Sequence, residues 1–89
     1  MQSYKFIIIG VVQGVYYRKN IHANAKKEKI GGYVKNLDNG NVEACVTCDI
    51  TKLDKFLDIL QKGSPTSVVR DIEQYSCDEI FKSEFEIRY

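Results

Sequence analysis

The sequence is poor in several features on which large classes of protein depend. Its 13 lysine and arginine residues nearly balance 12 acidic ones, which leaves a net charge of +1 and no extended basic segment for binding nucleic acid. No apolar run comes near the ~20 residues that a membrane-spanning helix requires. Only Met1-Gln2-Ser3 precedes the first apolar run, so we expect no signal peptide and a cytoplasmic protein without a nucleic-acid or membrane partner.

Motifs for covalent phosphate chemistry are also absent. No cysteine lies six positions before an arginine, and Val12 occupies that position relative to Arg18. The chain has no Asp-x-Asp pair and no G-x-x-x-x-G-K-[ST] nucleotide loop. These absences argue against a thiolate or aspartate phospho-enzyme and against P-loop nucleotide binding.

The three cysteines, Cys45, Cys48 and Cys77, include one C-x-x-C spacing. A thioredoxin-type pair lies at a helix N-terminus, which lowers the thiol pKa. The pair Cys45 and Cys48 falls instead in a predicted strand, in which residues three apart face opposite sides. A zinc site needs further ligands, and the one histidine, His22, is distant in sequence and is expected on a solvated helix surface. We therefore expect free thiols, no metal and no cofactor.

What the sequence does contain is an ordered series of strands and helices in one small domain, residues 1–89. Apolar side chains on both faces predict a central strand over 4–11. A helix is predicted over 19–30, ended by Gly31-Gly32. Strands at 33–37 and 41–48 flank Asn39-Gly40, which is a strong hairpin signal.

A second helix is predicted next, with Thr51 and Asp54 as a capping box and Gly63 as its C-cap. Its apolar residues share one face: Leu53, Phe56, Leu57 and Leu60. Strands are predicted over 67–75 and from Glu84 to Tyr89, where charged and apolar residues alternate. The order β-α-β-β-α-β with an extra C-terminal strand predicts an α+β fold, with two helices on one face of an antiparallel sheet.

The most informative segment is Gly10-Val11-Val12-Gln13-Gly14-Val15-Tyr16-Tyr17-Arg18, between the first strand and the first helix. Gly14 lets the backbone turn so that successive N–H groups point inward, and the helix N-terminus adds partial positive charge. Arg18 supplies a planar fork of donors that matches a phosphoryl group. The segment therefore predicts an anion cradle.

Together with Gly32-Tyr33-Val34-Lys35-Asn36 and Asn39-Gly40-Asn41-Val42-Glu43, this segment resembles the acylphosphatases. The resemblance extends over nearly the whole chain, and the Gly63-Ser64-Pro65 break fits the same family. Val11 stands where many members have a basic residue. The resemblance implies a ferredoxin-like α/β sandwich that hydrolyses small acyl phosphates to carboxylate and inorganic phosphate without a metal or cofactor.

The resemblance also implies the site residues. The loop N–H groups and the Arg18 side chain would bind the phosphate. The residues that would take part are Gln13, Gly14, Val15, Tyr16, Tyr17 and Arg18. Asn36 would position the attacking water, so Arg18 and Asn36 are the predicted catalytic residues. An amide is a poor base, but a carboxylate leaving group needs no general acid. We expect alkyl phosphates, with poorer leaving groups, to be hydrolysed badly.

Two non-catalytic alternatives remain at this point. RNA-recognition domains share the predicted element order and stack bases on aromatic residues of their central strands, but residues 41–48 contain no aromatic side chain. The other alternative is a ferredoxin-like module that binds phosphate or a protein partner without turnover. The presence of both Arg18 and Asn36 argues against it. Nothing in the sequence demands a dimer, so we expect a monomer.

Overall fold

The computed structural model describes residues 1–82 and 84–88. Within them the chain forms five strands and two helices: β1 (Gln2–Val11), α1 (Tyr17–Lys27), β2 (Gly31–Asn36), β3 (Val42–Cys48), α2 (Ile50–Lys62), β4 (Val68–Ser76) and β5 (Phe85–Arg88). The element order is the one predicted from the sequence. The predicted alternation at the chain end holds through Arg88, and its last residue, Tyr89, lies outside the described residues.

The strands form one sheet in the order β4-β1-β3-β2-β5. β1 pairs antiparallel with β3 and β4, and β2 pairs antiparallel with β3. β5 pairs parallel with β2, so the sheet is mixed and not antiparallel throughout as predicted. The reason is that the segment after β4 crosses the sheet at one end, where Phe81 N–H donates to the Thr47 hydroxyl. β5 therefore starts at the end where β4 stops and runs in the direction of β2.

Both helices pack on one face of the sheet, as predicted. α1 buries Tyr17, Ile21 and Ala25, and α2 buries Leu53, Phe56 and Leu60. These side chains form one cluster with sheet residues that include Phe6, Ile8, Val34, Ala44 and Val46. Removal of this apolar surface from water is the main term that favours folding. Among the described helices, none is long and apolar enough to cross a membrane.

Two predicted helix boundaries were wrong. α1 ends at Lys27, and Gly31 and Gly32 belong to β2. A Cβ atom at Gly31 would lie 1.3 Å from the backbone oxygen of Lys82, so this glycine permits close approach of the crossing segment. Thr51 does not cap α2, because the helix already begins at Ile50 after Asp49 in an extended conformation.

The C-terminal cap of α2 was predicted correctly. Gly63 adopts a φ of 53°, and its N–H donates to the Ile59 carbonyl at 3.0 Å. Glycine takes this conformation without the steric cost that a Cβ atom brings. The chain then turns back toward the start of α1, which brings the α2–β4 connection close to the predicted cradle.

Replacement of Phe56 tests the helix-side core. The ring is fully buried between those of Phe6 and Phe85, at centroid distances of 5.8 and 6.1 Å. Phe56→Ala should lower the free energy of unfolding by about 3–5 kcal/mol, because the cavity can collapse only in part. Ile50→Ala, at a residue of the same helix that is 73% exposed, should change it by less than about 0.5 kcal/mol. Equal losses in urea unfolding would contradict this packing.

Candidate active site

The loop between β1 and α1 makes a turn that few side chains tolerate. Gly14 has a φ of 73° and Tyr16, the N-cap of α1, has a φ of 61°. Both values lie in the left-handed region, which a non-glycine residue occupies only when its surroundings hold it there. The backbone N–H groups of residues 13–17 donate no hydrogen bond to another described residue. They form a set of donors at the positive end of the α1 dipole.

The side chain of Tyr17 holds the start of α1 against α2. Its ring is buried, and its hydroxyl donates to the Leu60 carbonyl at 2.7 Å. Burial raises the pKa of the Tyr17 hydroxyl, which therefore stays protonated and keeps this donor. Only the backbone of Tyr17 is available to a ligand in the cradle.

Arg18 lies in the first turn of α1 and lines an open pocket of about 600 Å³. The other lining residues are Gly14, Tyr16, Tyr17, Lys19, His22 and Ile87. The Arg18 Nη1 donates to the backbone oxygen of Arg88 at 3.2 Å. Arg88 is the register partner of Lys35, so this hydrogen bond ties Arg18 to the β2–β5 edge, at the pair next to Asn36. Asn36 is not among the residues that line the pocket.

Asn36 is the last residue of β2 and pairs with Val42 of β3. Its Oδ1 atom is buried and has no hydrogen-bond partner among the described residues. Buried polar atoms in folded proteins almost always have a partner. An acceptor in this state, at the end of β2, has the capacity to accept a hydrogen bond from a water molecule.

Gln13 connects the cradle to the β2–β3 hairpin. Its Nε2 donates to the carbonyl oxygens of Leu37 and Asn41, at 2.7 and 2.8 Å. These two residues follow Asn36 and precede β3, so the amide holds both arms of the turn. The predicted contact of Gln13 with substrate can therefore come only from its backbone N–H, because both donors of its side chain are already used.

Two residues of the pocket wall, His22 and Ile87, were not predicted as site residues. His22 was expected on a solvated surface, but it is half-buried, lines the pocket and lies 6.2 Å from the Phe85 ring. Its position four residues after Arg18 was the available signal, since such residues share a helix face. Ile87 could not have been found in this way, because it reaches the pocket only through the pairing of β5 with β2.

The two cysteines of the C-x-x-C spacing lie on opposite faces of β3. Cys48 belongs to the helix-side core, whereas the Cys45 thiol donates to the Tyr33 hydroxyl at 3.1 Å on the other face. Burial raises the pKa of Cys45 to about 11, so its thiol is protonated at neutral pH. The cysteines are free, as predicted, and the two do not form a common site.

A family model described as Acylphosphatase matches residues 4–87 of this sequence. The chain belongs to the acylphosphatase family. The acylphosphatase of Actinobacillus pleuropneumoniae serotype 5b is 41% identical over 90 residues, which cover 99% of each chain. That of Bacillus licheniformis is 39% identical over 80 residues, which cover 90% of this chain and 89% of the relative.

The fold agrees with that of a solved family member. The crystal structure of acylphosphatase from Bacillus subtilis matches the whole of both chains with a TM-score of 0.91 at 36% sequence identity. The acylphosphatase resemblance and the ferredoxin-like α+β fold with an extra C-terminal strand, both predicted from the sequence, are confirmed.

Replacement of Gln13 tests whether its amide aligns the two halves of this site. Gln13→Ala removes both donors and leaves the Leu37 and Asn41 carbonyls without them. We expect hydrolysis of benzoyl phosphate to slow by about 10- to 100-fold, because small misplacements of a reacting group are costly. Gln61→Ala, on the exposed surface of α2, is the control and should be neutral. A Gln13→Ala protein with full activity would contradict the alignment.

Proposed function

We propose that the protein hydrolyses the carboxyl–phosphate bond of small acyl phosphates by in-line attack of a water molecule. As a member of the acylphosphatase family, it is an acylphosphatase hydrolase. One observation carries the proposed site: Gln13 bonds the carbonyl of Leu37, the residue after Asn36, and Arg18 bonds the carbonyl of Arg88, the register partner of Lys35. These two bonds support a site in which the cradle and Asn36, distant in sequence, act together.

The phosphate group is bound by the cradle. Its oxygens accept hydrogen bonds from the backbone N–H groups of residues 13–18 and from the Arg18 guanidinium, which matches two oxygens at once. Lys19 adds positive charge at the pocket wall, and the residues that line the pocket include no carboxylate. These groups can stabilise the charge of the transferring phosphoryl group, which supports a reaction independent of metal ions.

Asn36 positions the attacking water. Its side-chain amide can both donate and accept, and its buried Oδ1 has no partner among the described residues. The amide does not act as a strong base. This suits an acyl phosphate, because the carboxylate that leaves is a stable anion and needs no proton from the protein.

We also propose a cytoplasmic monomer of one domain that acts on a free small molecule, without a nucleic-acid or membrane partner. One hydrophobic cluster draws on both helices and on strands β1, β2, β3 and β5, which supports a single folding unit. The buried free thiols of Cys45 and Cys48 fit a reducing compartment.

Asn36→Ala tests the chemical step. We expect kcat for benzoyl phosphate to fall by about 100-fold or more with little change in phosphate affinity, because only the water loses its position. Asn24→Ala, on the exposed surface of α1, is the matched control. Excess chelator should leave the parent rate unchanged, and a simple alkyl phosphate should be cleaved far more slowly.

Unchanged turnover in Asn36→Ala would remove its assignment to the water. A folded parent protein without turnover would leave the fold intact and favour a non-catalytic phosphate- or partner-binding module.

Arg18→Ala tests binding. Loss of charge-assisted hydrogen bonds should weaken inhibition by inorganic phosphate by about 10- to 100-fold. Arg18→Lys should recover only part of this affinity, because a point charge lacks the planar fork. The control is Lys26→Ala, in the last turn of α1. It removes one positive charge, as Arg18→Ala does, but at a position away from the cradle. Circular dichroism checks folding, since Arg18 also contacts β5. Equal phosphate inhibition of the Arg18→Ala and Lys26→Ala variants would contradict the assignment.

A further inference from the structure

The turn after α2 contacts the back of the cradle. Ser64 is only 5% exposed, and its Oγ donates to the Val15 carbonyl at 2.5 Å. The Thr66 hydroxyl approaches the same oxygen at 3.4 Å. Neither residue lines the pocket that contains Arg18. Ser64 therefore contacts the loop from a buried position outside the pocket.

This contact fixes the orientation of one peptide group. The bond between Val15 and Tyr16 is trans, so its C=O and N–H point in opposite directions. Because the buried Ser64 holds the carbonyl, the Tyr16 N–H points away from Ser64, and Tyr16 itself lines the pocket. The Tyr16 N–H donates to no described residue. Tyr16 also has the left-handed φ of 61°, so the peptide needs an external contact to stay in this orientation.

The turn that presents Ser64 is itself well anchored. The Ser67 hydroxyl accepts from the Ser64 N–H and donates to the Ser64 carbonyl, both at 2.9 Å. A Cβ atom at Gly63 would lie 2.6 Å from the Tyr17 ring, so the turn packs directly on the first residue of α1. Ser64 is thus held by the same elements that hold the cradle.

We propose that Ser64 is a positioning residue for phosphate binding. It does not touch the substrate; it locks the Val15–Tyr16 peptide so that the Tyr16 N–H serves as a donor to phosphate. The hydrogen bond to the carbonyl also polarises the amide and makes its N–H a stronger donor. This inference rests on the proposed function, because it presupposes that phosphate occupies the cradle.

The test is a titration of ¹⁵N-labelled protein with inorganic phosphate, followed by the Tyr16 amide signal. The parent should show a saturable shift of this signal. Ser64→Ala should weaken phosphate binding by about tenfold and reduce the Tyr16 shift, as expected for a lost hydrogen bond to a charged ligand. In hydrolysis of benzoyl phosphate, KM should rise more than kcat falls.

The control is Ser3→Ala. It removes a buried hydroxyl pair, Ser3 with Thr47 at 2.6 Å, at the end of β1 remote from the cradle. Ser3→Ala should therefore destabilise the fold about as much as Ser64→Ala does, while the hydrogen bond from Ser64 to the Val15 carbonyl stays in place. If Ser64→Ala does not fold, Ser64→Cys retains the size of the side chain with a weaker donor, and the same two readouts apply.

The outcomes separate this inference from the proposed function. A parent protein that binds no phosphate contradicts the proposed function itself. The assignment of Ser64 alone is overturned if the parent binds phosphate and folded Ser64→Ala binds it equally well, with an unchanged Tyr16 shift. Where the alanine variant is unfolded, the same result in Ser64→Cys overturns it. Equal weakening in Ser64→Ala and Ser3→Ala also overturns it, because general destabilisation then explains the effect.

Discussion

The candidate site depends on keeping a short backbone loop, residues 13–17, in an unfavourable shape in which its N–H groups have no partner among the described residues. Gly14 meets this demand by lacking a side chain, but Tyr16 does not, and its left-handed conformation needs support from outside the loop. The support comes from three directions: Gln13 bonds the β2–β3 hairpin, Ser64 bonds the Val15 carbonyl, and the Tyr17 hydroxyl bonds the end of α2. The loop is thus held in shape by contacts from three separate elements.

Side chains on the sheet face opposite the helices restrain the end of β5, which Arg18 contacts. The Arg88 guanidinium lies 4.0 Å from the centre of the Tyr33 ring, and the Tyr33 hydroxyl donates to Glu43 at 2.6 Å. The ion pairs of Arg88 with Glu79 and Glu86 lie near the surface and add little stability on their own. Together with the Tyr33 ring they restrain Arg88, the last residue of β5, whose carbonyl accepts the hydrogen bond from Arg18.

Much of this architecture could be predicted from local signals. The hairpin turn at Asn39-Gly40, the apolar face of α2 and the glycine cap at Gly63 depend on residues close in sequence, and the structure agrees with each. Two of the wrong predictions have a common cause. The prediction that Gly31 ends α1 is wrong because its actual neighbour, the backbone of Lys82, is about fifty positions away in the chain. The parallel pairing of β5 was missed for the same reason.

The sequence by itself determined the family, the order of elements and the candidate groups for phosphate binding, because these depend on residue type and spacing. Only the tertiary structure decided what each group is free to do. It commits the Gln13 amide to the hairpin, turns His22 into the pocket wall and ties Arg18 to the backbone of Arg88 in β5. These outcomes depend on contacts between segments distant in the chain, and periodicity within one segment carries no information about such contacts.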